Sequence, residues 1–127
     1  MPADICVSSF LNEANRLGVG VRWEREMINL DAAYVALPGR PGEILLYERS
    51  PRPNNQQLCT LLTHEMVHVL QHWKGKLKAT PALGWPVDRA PEGRNLSLQE
   101  REAYTAQSDS KKVLKAVRSL KPIIPKL

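Results

Sequence analysis

The stretch from Asn55 to Trp73 constrains this chain more than any other. Read as a helix, it places Leu58, Leu62, Met66, Val69, Leu70 and Trp73 on one half, with Leu61 and Val67 at its edges. So wide an apolar surface must be buried. The same helix nevertheless carries every histidine of the chain, in His64-Glu65-Met66-Val67-His68-Val69-Leu70-Gln71-His72. A buried helix with a polar stripe needs an interior cleft for that stripe to face, and buried imidazoles and carboxylates need partners.

The remaining pattern sets what can surround it. Residues 4–17 predict an opening helix with Ile5, Phe10, Ala14 and Leu17 near one face and Gly18 as its stop. Val19, Val21 and Trp23 alternate as a half-buried strand. Ala33–Leu37 and Glu43–Tyr47, separated by Pro38-Gly39-Arg40-Pro41-Gly42, read as an antiparallel hairpin. Prolines and asparagines over residues 50–55 interrupt the chain and cap the central helix. Residues 74–95 hold three prolines and three glycines, a connection long enough to wall a site. Residues 97–120 predict a last long helix, ended by Pro122 and Pro125. Helix, small sheet, helix, long loop, helix is an α+β order, and 127 residues suit a single domain spanning 1–127.

His64, Glu65 and His68 spell H-E-x-x-H. Positions i and i+4 of a helix lie about 40° apart, so the two imidazoles project side by side, as two ligands of one tetrahedral zinc require. Glu65 is turned about 100° from His64, beside the ion rather than on it, where a carboxylate takes a proton from water. A third ligand is needed. His72 lies near the same face but too far along the helix to close the tetrahedron, and is expected to be structural or to support a ligand. Glu102 shares a helical stripe with Leu98, Ala106, Val113, Ala116, Val117 and Leu120, whereas Glu100 points about 160° away and forms a capping box with Ser97. Phase therefore selects Glu102, with His72, Asp88 and Glu100 as the other choices.

His64 to Gln71, followed after the long loop by Glu100-Arg101-Glu102-Ala103-Tyr104, resembles the gluzincin branch of the zincin metallopeptidases. The chain's size resembles the smallest of these, the minigluzincins. The resemblance covers mainly residues 55–110. It implies a small zincin-like domain holding Zn2+ on His64, His68 and Glu102, with Glu65 as general base and acid. A peptide or protein would be the substrate, lying in a cleft lined by the edge strand of the sheet. Many gluzincins place Asp four residues after the ligand glutamate, where this chain has Ala106; Asp109 is the expected substitute partner for a ligand histidine. The metzincin extension is missing, since its places hold Gln71 and Lys74.

Other features bound the reading. Tyr104 and Trp85 are expected to pack, although Trp85 could wall the cleft from the long loop. Cys6 and Cys59 are too few for a disulfide framework, and Cys59 reads as a small buried hydrophobe. The opening residues lack a basic segment and a long apolar run, so neither signal peptide nor membrane span is expected and the cytoplasm is the default location. The net charge of +5 includes Lys111, Lys112, Lys115, Arg118, Lys121 and Lys126 near the C-terminus with no acid among them. Such a run is ordinarily a solvated helix face, and nucleic acid is not the expected partner. The competing expectation is a catalytically inactive zincin-fold protein that uses this basic helix to bind a partner.

Overall fold

Burial of one helical face begins the fold. In the computed structural model, which describes residues 1–123, helix α1 (Ala3–Leu17) buries Cys6, Phe10, Ala14 and Leu17 at helical spacing. Ile5 stands 48% exposed, and Cys6 occupies the core face in its place. Gly18 takes a φ of 79° to end the helix, and the amides of Gly18 and Val19 close on the carbonyls of Asn15 and Ala14.

Three strands follow: β1 (Gly20–Glu24), β2 (Ala32–Leu37) and β3 (Arg40–Tyr47). β3 is central, parallel to β1 and antiparallel to β2, with Val21 opposite Ile44 and Ala33 opposite Leu45. The expected hairpin forms, with a tighter turn than the sequence indicated: Leu37 pairs with Arg40 across Pro38-Gly39 alone. Gly42 is required where the two strands press together, since a Cβ there would lie 2.1 Å from the Val35 carbonyl oxygen. Ile44 and Leu46 are buried, so β3 presents an apolar face to the helices. β2 is left as an edge strand.

Helix α2 (Asn55–Lys74) crosses the centre of the molecule. Asn54 and Gln57 cap it reciprocally, each side chain accepting the other's backbone amide. Leu62, Met66, Val67 and Val69 are fully buried, each contributing roughly 1.5–3 kcal/mol by leaving water. α2 packs on α1, β2 and the two last helices.

The single long helix expected over 97–120 is divided into α3 (Leu98–Ala106) and α4 (Ser110–Arg118). Asp109 causes the break: its carboxylate accepts the Lys112 amide and caps a new helix. Short polar side chains such as Ser108 and Asp109 compete for backbone groups and favour such caps over helix interiors. Asp109 is thereby committed to α4 and does not support a histidine. Lys111, Lys112, Lys115 and Arg118 are all exposed; Pro125 and Lys126 lie outside the described residues.

Cys6 and Cys59 form a disulfide that ties α1 to α2, with their Cα atoms 5.7 Å apart. This corrects the reading of Cys59 as a free core residue. Spacing of 53 residues gives no local sign of the pairing; only the packing of α1 on α2 brings the two together. Among the described residues no helix is long and apolar enough to cross a membrane.

Candidate metal centre

α2 delivers His64, Glu65 and His68 to the floor of a cleft of about 810 Å³. Its volume lies within the range of small-ligand sites. β2 forms one bank through Ala32, Ala33, Tyr34 and Ala36, so the unpaired strand edge runs beside the histidines. The other bank is α3. Glu100, Tyr104 and Gln107 face the cleft from there, at the i, i+4, i+7 spacing of one helical face.

The carboxylate that meets the two imidazoles belongs to Glu100. Its Oε1 lies 3.4 Å from His64 Nε2 and in direct contact with His68 Nε2. The three ligand atoms all lie within 4.8 Å of one another, and among the described residues this is the one such group. Glu102 is not part of it. Its helical phase was read correctly, since it is fully buried, but it faces the core and the long loop. Glu102 accepts the backbone amides of Leu83, Gly84 and Trp85 at 2.7–2.9 Å and the Gln71 side-chain amide at 3.0 Å. The physical reason for the correction is how α3 packs: it turns Glu102 into the core and leaves Glu100 at the boundary between core and cleft. The Glu100 side chain is 38% exposed and stands there.

The outer ring nitrogens are held by glutamines. His64 Nδ1 lies 2.9 Å from Gln107 Oε1, and His68 Nδ1 lies 2.8 Å from Gln71 Oε1. An amide oxygen can only accept, so each Nδ1 donates to its glutamine, and each Nε2 is left facing the Glu100 carboxylate. His72 is structural, as expected. Its Nε2 donates to the Leu37 carbonyl at 3.0 Å, and its Nδ1 accepts the Tyr34 hydroxyl at 2.7 Å. Tyr34 in turn accepts the Gly42 amide, which locks β2 and β3 to α2. Tyr104 is more than a packing residue: it lines the cleft edge-on to His64, ring centroids 4.7 Å apart. Trp85 does not line the cleft; it packs against the core and lies under Lys112.

Charge follows from this arrangement. Burial pushes the Glu65 carboxyl above its ordinary range, opposed by the two imidazoles. Hydrogen bonds from His64 and His68 hold Glu100 well below its own. Burial alone would lower His68, but the Glu100 carboxylate, Glu65 and Gln71 outweigh it and raise it. Burial thus pushes the Glu65 carboxyl towards its neutral form while the imidazoles hold the neighbouring Glu100 ionised, a separation common at sites of acid–base chemistry.

No family model matches this chain, and no curated protein or solved structure matches it either.

Proposed function

We propose that this chain is a zinc-dependent metallopeptidase of zincin-like kind, with His64, His68 and Glu100 as metal ligands and Glu65 as general base and acid. The observation that carries it is the convergence of two imidazole Nε2 atoms and one carboxylate oxygen on the floor of an open cleft. The donor set fits the ion. Imidazole nitrogen and carboxylate oxygen are donor types that zinc takes, and the three atoms lie within 4.8 Å of one another. Two imidazoles and one carboxylate leave a fourth position for substrate or solvent, the composition typical of a hydrolytic rather than a structural zinc.

When bound, zinc supplies Lewis acidity, polarising a carbonyl and making water acidic enough to react at neutral pH. The residues do the rest. Glu65, buried beside the histidines with a raised pKa, accepts the proton of the attacking water and returns it to the leaving nitrogen. Gln71 and Gln107 keep the ligand rings in register. The free edge of β2 offers backbone donors and acceptors to an extended peptide, which supports peptide as the substrate class. The Cys6–Cys59 bridge favours an oxidising compartment over the cytoplasm.

Purified protein should hold one zinc per chain and cleave peptides, and Glu65→Gln should keep both fold and zinc while losing hydrolysis by at least about a hundredfold. Zinc-loaded wild type without hydrolysis of any peptide library would favour the alternative, an inactive protein that binds through the basic face of α4.

A further inference from the structure

The loop between β1 and β2 ends in a turn that displays what the rest of the fold hides. Met27, Ile28 and Leu30 are 50%, 87% and 39% exposed. Single apolar residues on a surface need no explanation, but three within one turn mark an interaction site. The turn is built rather than loose. Met27 and Leu30 pair as a bridge, and the Leu30 amide donates to the Met27 carbonyl at 3.4 Å. Asn29 takes the left-handed conformation, φ 62°, that its short polar side chain tolerates. Folding therefore fixes the apolar side chains outward, and little ordering is left to do when a partner covers them.

The position of the turn points to its partner. Asn29 and Leu30 belong to the wall of the cleft, beside Asp31 and Ala32 at the start of β2. The Tyr34 backbone faces Glu65, so the reacting centre lies level with the middle of β2. Leu30 is four residues earlier, a span of about 13 Å at the usual rise of a strand. A peptide extended along the edge of β2 therefore meets the turn roughly four residues from the bond over the metal site. We propose that the Met27–Leu30 turn docks polypeptide substrate by a large aliphatic side chain remote from the scissile bond. The fate of the bound peptide rests on the metallopeptidase reading above; the binding itself does not.

The test reads binding and cleavage separately. The chain has three methionines; Met66 is fully buried and Met1 is terminal, so 13C-methyl labelling of methionine reports on Met27. Glu65→Gln protein with zinc added, or metal-free wild type, is titrated with polar decapeptides that differ in a single leucine. The Met27 signal should shift with the leucine peptide and not with its serine counterpart. Ile28→Ser, at a side chain too exposed to matter for folding, should weaken that binding about tenfold. Leu11→Ser, which removes an exposed leucine from α1, should leave it unchanged. In wild type, cleavage should be fastest when the leucine lies about three to five residues from the bond cut, on one side only. A Met27 signal that ignores the leucine, or an equal loss in Leu11→Ser, would overturn the proposal. So would a signal that moves only with phosphatidylcholine vesicles or with protein concentration, which assigns the turn to a membrane or to a second copy. A leucine-dependent shift at Met27 in a chain that hydrolyses no peptide upholds the docking site and sinks the metallopeptidase reading. Hydrolysis with neither leucine preference nor Met27 shift does the reverse.

Discussion

Reducing the Cys6–Cys59 bridge should destabilise this protein by an amount that chain length fixes. The bond closes a loop of 53 residues. In the chain-entropy model such a loop removes about 14 cal/mol/K from the unfolded ensemble, or about 4 kcal/mol at 25 °C. A domain of 127 residues unfolds with an entropy of roughly 270 cal/mol/K, so the midpoint should fall by about 15 °C. Because Cys6 is fully buried, reductant must be added to the unfolded chain before refolding. Oxidised and reduced samples are then compared by calorimetry. Cys6→Ala with Cys59→Ala should behave like the reduced chain, with a further small loss for the missing sulfur atoms. Packing around the thiols is otherwise kept, so the difference isolates the cross-link. A shift below about 4 °C, or two thiols found reactive in the unfolded, unreduced protein, would refute the reasoning.

The remaining predictions concern the cleft and its supports. Glu100→Ala should change metal-free stability by less than about 1 kcal/mol, since the side chain is partly exposed and its ion pairs are screened. Structural zinc sites yield roughly 10–16 kcal/mol from four ligands, so losing this one should weaken zinc binding by about 3 kcal/mol, roughly a hundredfold; equal zinc affinity by chelator competition would remove Glu100 from the site. For Tyr34, burial pushes the phenol up to about 12, against the opposing Gly42 amide. A folded-state pKa above the unfolded one means that the stabilisation is whole below about pH 10 and is lost as pH rises towards 12. Denaturant midpoints between these limits should fall in wild type and stay flatter in Tyr34→Phe, and a phenol titrating at its ordinary pH by ultraviolet absorbance would contradict this.

The sequence alone determined what depends on local periodicity. The apolar surround of α2 required its burial, and the one-turn spacing of His64 and His68 set both rings on one side whatever the rest of the chain did. Turn residues placed the β2–β3 hairpin, and the same phase rule correctly buried Glu102. Gln71, three residues past His68, and Gln107, two turns past Glu100, were also legible as partners, had polar i+3 and i+7 spacing been weighed as closely as apolar spacing. The choice between Glu100 and Glu102 was not local. It depends on how α3 lies across α2, and the break that Asp109 makes after α3 removed the long stripe from which the phase had been taken. Periodicity reports which side chains leave water. It does not report which of two carboxylates meets the imidazoles, because core and cleft border the same helix and only packing decides where one ends and the other begins.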